Sequence, residues 1–428
     1  MKIKSIYAQE ILDSRGTPTI ECVTILTDGA TGWAAVPSGA STGKYEAVEL
    51  RDNDPKRYNG QGVLKAVNNV NTKISKAVVG LDAANQKKID EAMIELDGTE
   101  NKARLGANAI LSVSLSVARA EAASQKKPLY QYLSKFNPDH KGIFTMPIPE
   151  MNVMNGGKHA NWASDIQEYM LFPIGASTIC EAIKMNAEVY MNLKKIIKKK
   201  GYSIAVGDEG GFAPSDTKNN EEPFELMSEA IDSAGYQLGK DICFGIDAAA
   251  SEFYEDGKYI LNKEEKTVSS DKLADFFQNL AKKYPIISME DIFAEDDWNG
   301  FRNYTKRVNE KTQIVGDDLY VTNVKRLKRG IQEKTTNSIL IKLNQIGSLT
   351  ETVKTIIMAR KAGMTAIVSH RSGETEDAFI ADFVVAMGTG QIKTGAPARS
   401  ERLAKYNQLM RIERNLGQKA RYAIFRKI

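Results

Sequence analysis

Cysteine is scarce in this chain: Cys22, Cys180 and Cys243 are the only ones among 428 residues. An odd number at wide spacing supports neither a disulfide framework nor a zinc site. It suits a reducing compartment, so the cytoplasm is the expected setting. Long apolar runs are missing as well. Met1-Lys2-Ile3-Lys4-Ser5 is not followed by the apolar core of a signal peptide. The longest weakly apolar stretch, Ala109 to Ala118, is too short and too serine-rich to span a bilayer, so it reads as a buried helix and no membrane partner is expected. There is no low-complexity segment, and a net charge of +4 is too small for this length to name a polyanionic partner.

Two local excesses of positive charge stand out from that balance. Lys194-Lys195-Ile196-Ile197-Lys198-Lys199-Lys200 precedes Gly201, which fits a helix C-terminus where the macrodipole favours cations and glycine stops the helix. The last 18 residues carry Arg411, Arg414, Lys419, Arg421, Arg426 and Lys427 against Glu413. A solvated terminal helix is the favoured reading, with RNA or RNA-processing partners left open but not indicated.

The content is that of an ordinary globular chain, 42% hydrophobic and 26% charged. Its length gives a soft prior of about three domains, but barrels commonly run to about 250 residues as one unit, so two are expected. Residues 1 to about 60 hold β-like runs such as Thr19 to Ile25, and from Val63 to Leu133 the apolar spacing turns helical, which suggests an α+β domain. Phe136 to Gly142 is a polar joint, and the boundary is placed at residue 139, between domains 1–139 and 140–428.

Beyond the joint, six short apolar runs each end on a residue able to do chemistry: Asp247, Glu290, Asp317, Lys342, His370 and Lys393. The steps between these ends are 43, 27, 25, 28 and 23 residues, close to one strand, one helix and two loops. In a parallel βα barrel the carboxyl ends of all strands meet at one mouth. Extended backwards, the series takes Ile204-Ala205-Val206-Gly207 to Asp208-Glu209, and Asp165-Ile166-Gln167-Glu168 opens the run Tyr169 to Phe172. Asn155-Gly156-Gly157-Lys158-His159 adds a loop with an imidazole. So much negative charge in one pocket needs cations, and oxygen ligands with almost no histidine or cysteine nearby select Mg²⁺ over Zn²⁺. Ser38-Gly39-Ala40-Ser41-Thr42-Gly43-Lys44 has the wrong spacing for a nucleotide loop, and Tyr45 stands where Ser or Thr is needed.

Five stretches in order then identify a family: Ser38 to Gly43, Gly207-Asp208-Glu209-Gly210-Gly211-Phe212-Ala213-Pro214, Leu343-Asn344-Gln345-Ile346-Gly347, Ser369-His370-Arg371-Ser372-Gly373-Glu374-Thr375, and Lys393-Thr394-Gly395-Ala396-Pro397-Ala398-Arg399-Ser400. They resemble the signature stretches of enolase (phosphopyruvate hydratase), and the resemblance runs from Asp13-Ser14-Arg15-Gly16 to Arg411-Ile412-Glu413. It implies an N-terminal α+β capping domain before an eight-stranded βα barrel whose first units depart from regular order. It also implies Mg²⁺-dependent, reversible dehydration of 2-phosphoglycerate to phosphoenolpyruvate in glycolysis and gluconeogenesis. By position it implies that Asp247, Glu290 and Asp317 bind the first Mg²⁺ and that Ser41, on a mobile loop, helps hold the second. It further implies that Lys342 is the base and Glu209 the acid, supported by Glu168, while Gln167, His159, Arg371, Ser372 and Lys393 contact substrate. Family members are dimers or octamers, and a surface or secreted fraction is allowed for by the resemblance.

On that reading Lys342 must be neutral, and Mg²⁺, Arg371 and Lys393 are expected to lower its pKa, while Glu168 raises that of Glu209. Ile292, Trp33 and Asn53 depart from the family's usual residues and bear on loop geometry. A racemase or lactonising relative would share the barrel without needing Ser41 or the Arg371-Ser372 pair. A non-catalytic scaffold or surface-binding use of the same fold is the alternative from another class.

Overall fold

Two antiparallel turns in the first 35 residues give the chain its first sheet: Ile3–Leu12, Pro18–Leu26 and Thr31–Ala35, in sequence order. The computed structural model describes residues 1–39, 43–215, 217–308 and 312–425, with His159 described by its backbone alone. The apolar stretch around Ala109 forms a helix, Ala107–Ser124, nearly all of it buried against this sheet. Gly32 permits the contact, since a Cβ there would stand 2.2 Å from the Ala120 nitrogen. Among the described residues no helix is long and apolar enough to cross a membrane.

Eight strands close into a barrel: Ile148–Asn155, Glu168–Phe172, Cys243–Asp247, Ile286–Glu290, Gln313–Gly316, Ser338–Ile341, Thr365–Ser369 and Gln391–Lys393, the last pairing with the first. The β-branched and aliphatic runs of the sequence supply them, buried on both sides as in a barrel wall. The step of 43 residues between Asp247 and Glu290 is long because a small three-stranded sheet, ordered Lys266–Val268, Lys258–Leu261, Tyr254–Glu255, precedes the helix Ser270–Lys283.

The first units of the barrel depart from regular order, as the resemblance implies: the second barrel strand is antiparallel to both neighbours, so Glu168 reaches the mouth from the start of its strand, level with Asp247. Two expectations need correction. Residues Ile204 to Val206 are not a barrel strand. They form a partly exposed loop bridged to Phe212, which itself hydrogen-bonds the first barrel strand at Val153. The basic C-terminal region is helical only to Leu416, after which Ala420–Tyr422 pairs in parallel with Phe144–Met146.

Alternation along the strands stacks the barrel interior in layers. The floor is polar and neutral. Gln313 Nε2 donates to Thr365 Oγ1 at 2.7 Å, to Gln391 Oε1 at 2.8 Å and to Ser338 Oγ at 3.2 Å, and its Oε1 accepts from Ser288 Oγ at 2.9 Å. Val315, Leu340 and Ile367 form an apolar layer above. The next inward positions on those strands are Asp317, Lys342 and Ser369, at the mouth.

The N-terminal region is fastened beside that mouth. Ser38 and Gly373 exchange backbone hydrogen bonds of 2.7 and 2.9 Å, the Ala47 N–H donates to the Gln345 carbonyl at 2.8 Å, and Arg119 pairs with Asp377. The residues that departed from family pattern are accommodated. Asn53 adopts φ 56°, a left-handed conformation that asparagine tolerates, and near Ile292 the positive φ falls on Asp291, leaving the Ile292 side chain buried. Trp33 lies under the Arg119 guanidinium, 4.8 Å from its ring centroid.

Candidate active site

The strand ends converge on a cleft of about 440 Å³ lined by Gln167, Glu168, Glu209, Asp247, Asp317, Lys342, Arg371, Ser372 and Lys393 among others. Nine of the twelve site residues expected from sequence therefore line one space. Glu290 lies beside it, bonded to Lys393. Ser41 lies outside the described residues, and of His159 only the backbone is placed, on a single helical turn Gly157–Ala160.

Lys393 organises one half of the mouth. Its ammonium lies 3.0 Å from Asp247, 2.9 Å from Glu290 and 2.9 Å from Glu168, all four side chains buried. Burial alone would lower the lysine's pKa, but the three carboxylates outweigh it and hold the ammonium charged. For Glu168, burial and then the charge of Glu209 push the carboxyl well above its ordinary range.

The other half is built around Asp317, which accepts from Lys342 Nζ and from Gln345 Nε2, the latter at 2.9 Å. The expected drop in the Lys342 pKa is not met here. Burial pulls it down, but contact with Asp317, aided by Asp318 and Glu290, carries it upward. Lys342 and Glu168 lie on strands four apart in a ring of eight, on opposite walls.

Glu209 sits on the turn after Gly207, where Gly210 at φ 85° reverses the chain. Its carboxylate accepts from Ser372 Oγ and from Asn152 Nδ2, each at 3.0 Å. His370 Nε2 stands 3.6 Å away. Because Arg402 is a pure donor and lies 2.6 Å from His370 Nδ1, that nitrogen accepts and Nε2 carries the proton, aimed at Glu209. Burial pushes the imidazole well below its ordinary pKa, so it is neutral.

Several of these residues were not given a role from sequence. Arg402 is fully buried and also donates to the carbonyls of Asp208, Arg371 and Ser372, tying the turn that carries Glu209 to the loop after the seventh strand. Glu46 grips the Arg371 guanidinium with both oxygens, at 3.0 and 3.1 Å. His370 was legible as a strand end, but Arg402 and Glu46 lie outside that series and carried no signal.

The oxygen-only donor set fits a hard divalent cation. Burial first, and then the charges of Asp247 and Asp317, raise the Glu290 pKa, and Glu290 Oε2 is buried without a hydrogen-bond partner. By distance alone, among the described residues, a different trio clusters: Asp291, Asp317 and Asp318, with ligand oxygens within 4.8 Å of one another. Asp291 is already committed, its oxygens accepting the N–H groups of Asp317 and Asp318 at 2.9 and 2.8 Å. It therefore shapes the turn, and the orphaned Glu290 oxygen favours the first trio.

Two family models match the chain. The enolase C-terminal TIM barrel domain covers residues 143–427, and the enolase N-terminal domain covers residues 3–133.

Proposed function

Because the chain belongs to the enolase family, we propose that it catalyses the Mg²⁺-dependent, reversible dehydration of 2-phosphoglycerate to phosphoenolpyruvate, the lyase step of glycolysis and gluconeogenesis. One observation carries this reading: Lys342 and Glu168 stand on opposite walls of a single cleft that also holds Glu209, Arg371 and Lys393. An elimination that takes a proton from one carbon and assists hydroxide departure from the next needs a base and an acid so separated.

In this reading Lys342 accepts the proton next to the substrate carboxylate. It can do so once the charge of Asp317 is engaged elsewhere, since burial and Arg371 both disfavour its ammonium form. Asp247, Glu290 and Asp317 would hold one Mg²⁺ and Ser41 would help hold a second. When bound, the ions supply positive charge that stabilises the charge developing on the substrate carboxylate. Lys393 presents a point charge to that carboxylate, and Arg371 offers its planar fork, with Ser372, to the phosphate. Glu209 protonates the departing hydroxide, with Glu168 keeping it acidic in form and the His370–Arg402 pair fixing its position. Gln167 and His159 complete the substrate contacts. A cytoplasmic setting and assembly as a dimer or octamer, both implied by the family, belong to the same proposal.

The test is absorbance of phosphoenolpyruvate formed from 2-phosphoglycerate. Exhaustive chelation should abolish it and Mg²⁺ should restore it; full turnover in chelator would overturn the metal assignment.

A further inference from the structure

Between the polar floor and the charged mouth lies a buried acid that the chemistry above does not use. Glu150, on the first barrel strand, is fully buried, and neither of its carboxyl oxygens has a hydrogen-bond partner. No other buried carboxyl among the described residues has both oxygens so placed. Its backbone position is paired with Lys393 on the eighth strand. The alternation Ile148, Glu150, Asn152 points it inward, because Asn152 two residues on reaches Glu209 inside the mouth. Glu150 thus lies one layer below Asn152, beside the root of Lys393.

Its charged and titratable surroundings are few. The Lys393 ammonium acts on it from the eighth strand, and the Tyr406 phenol, donating to the Gly395 carbonyl, feels it from the final helix. The second barrel strand pairs with this one through Leu171, Met170 and Tyr169, and Tyr169 is turned away with its hydroxyl on the Asn220 carbonyl. Below lie the neutral glutamines of the floor. Burial pushes the Glu150 carboxyl up to about 8, against the pull of Lys393. At neutral pH it is an acid without charge, and in mild alkali it becomes a carboxylate.

We propose that Glu150 is a positioning residue acting through Lys393: uncharged, it leaves the ammonium's field directed into the mouth toward an incoming carboxylate, and ionised, it draws that field inward. This rests on the reading of Lys393 as the contact for the substrate carboxylate. A neutral form has a further structural logic, since a fourth carboxylate around Lys393 would add to the repulsion among Glu168, Asp247 and Glu290.

The experiment compares wild type with Glu150→Gln, an isostere of the neutral acid, in steady-state turnover of 2-phosphoglycerate at saturating Mg²⁺ from about pH 6.5 to about pH 9.5. The KM of wild type should climb on the alkaline side by about tenfold more than that of the variant, as one added charge near Lys393 requires. The effect on kcat should be smaller. Coincident KM profiles would overturn the inference, whereas absence of wild-type turnover at every pH would overturn the enolase reading itself. An infrared measurement on wild type stands independent of catalysis. In the difference spectrum of wild type minus Glu150→Gln, which cancels the other buried carboxyls, a protonated-carboxyl stretch should be present at neutral pH and fade as pH rises through about 8; its absence from that difference at neutral pH would also overturn the inference.

Discussion

The floor and the mouth of one barrel are made by the same strands, and both are polar, yet they solve burial in opposite ways. In the floor, Gln313, Ser288, Ser338, Thr365 and Gln391 are neutral and satisfy one another. In the mouth, lysines and carboxylates crowd together, and Glu290 Oε2 and Gln167 Oε1 are left without partners. A closed, neutral network serves stability. Charges paired largely with one another, with spare oxygens beside them, are poised to exchange those partners for an ionic ligand.

The comparison can be broken most forcefully at the mouth. Lys342→Ala should lose both dehydration and exchange of the C2 proton of 2-phosphoglycerate with deuterated solvent, while Glu209→Gln should lose dehydration and keep exchange. Each loss is expected at about 10² to 10⁴ in rate, read by proton NMR and by phosphoenolpyruvate absorbance. Exchange that survives in Lys342→Ala would reverse the roles.

A carboxyl buried away from the mouth sharpens the contrast. Asp382, on the helix Phe379–Met387, accepts from the Tyr130 N–H and from Gln408, and burial raises its pKa to about 6. A carboxyl raised in the folded state favours folding when protonated. Its contribution is therefore full below the unfolded value of about 3.8 and is lost as pH rises through about 6. Asp382→Asn should gain on wild type by about 3 kcal/mol in urea unfolding between pH 4 and pH 7. A constant difference across that range would place the charge cost elsewhere.

The floor gives the smallest effect. Gln313→Ala strands the partners of Gln313 and should cost about 2 kcal/mol, seen as a lower Tm, with the KM for 2-phosphoglycerate little changed. A change confined to kinetics would mean that floor and mouth are one network.

How much of this was legible follows from the range of each signal. Asp247, Glu290, Asp317, Lys342 and Lys393 could be found because each ends an apolar run, and the spacing of the runs carries the barrel. Glu168 was found through its flanking run and by resemblance, but not the reversed direction of its strand, because alternation marks a buried face equally well in either sense. Glu209 was assigned to a strand that proved to be a loop, since a short apolar run does not say whether the chain will pair. Glu46, Arg402 and Glu150 gave no local sign, because what distinguishes them is the residue they meet, hundreds of positions away for Arg371 with Glu46.

The sequence by itself determined the repeating strands, the cysteine-poor composition, the identity of the charges at the strand ends and the family to which they belong. These depend on residue type and spacing, which are written locally. Only the tertiary structure decided the antiparallel second strand, the pairing of Lys393 with three carboxylates, the grip of Glu46 on Arg371, the neutral tautomer of His370 and the unpartnered burial of Glu150. Those depend on closing the ring, which brings distant residues within a few ångströms and strips away the water that would otherwise have screened them.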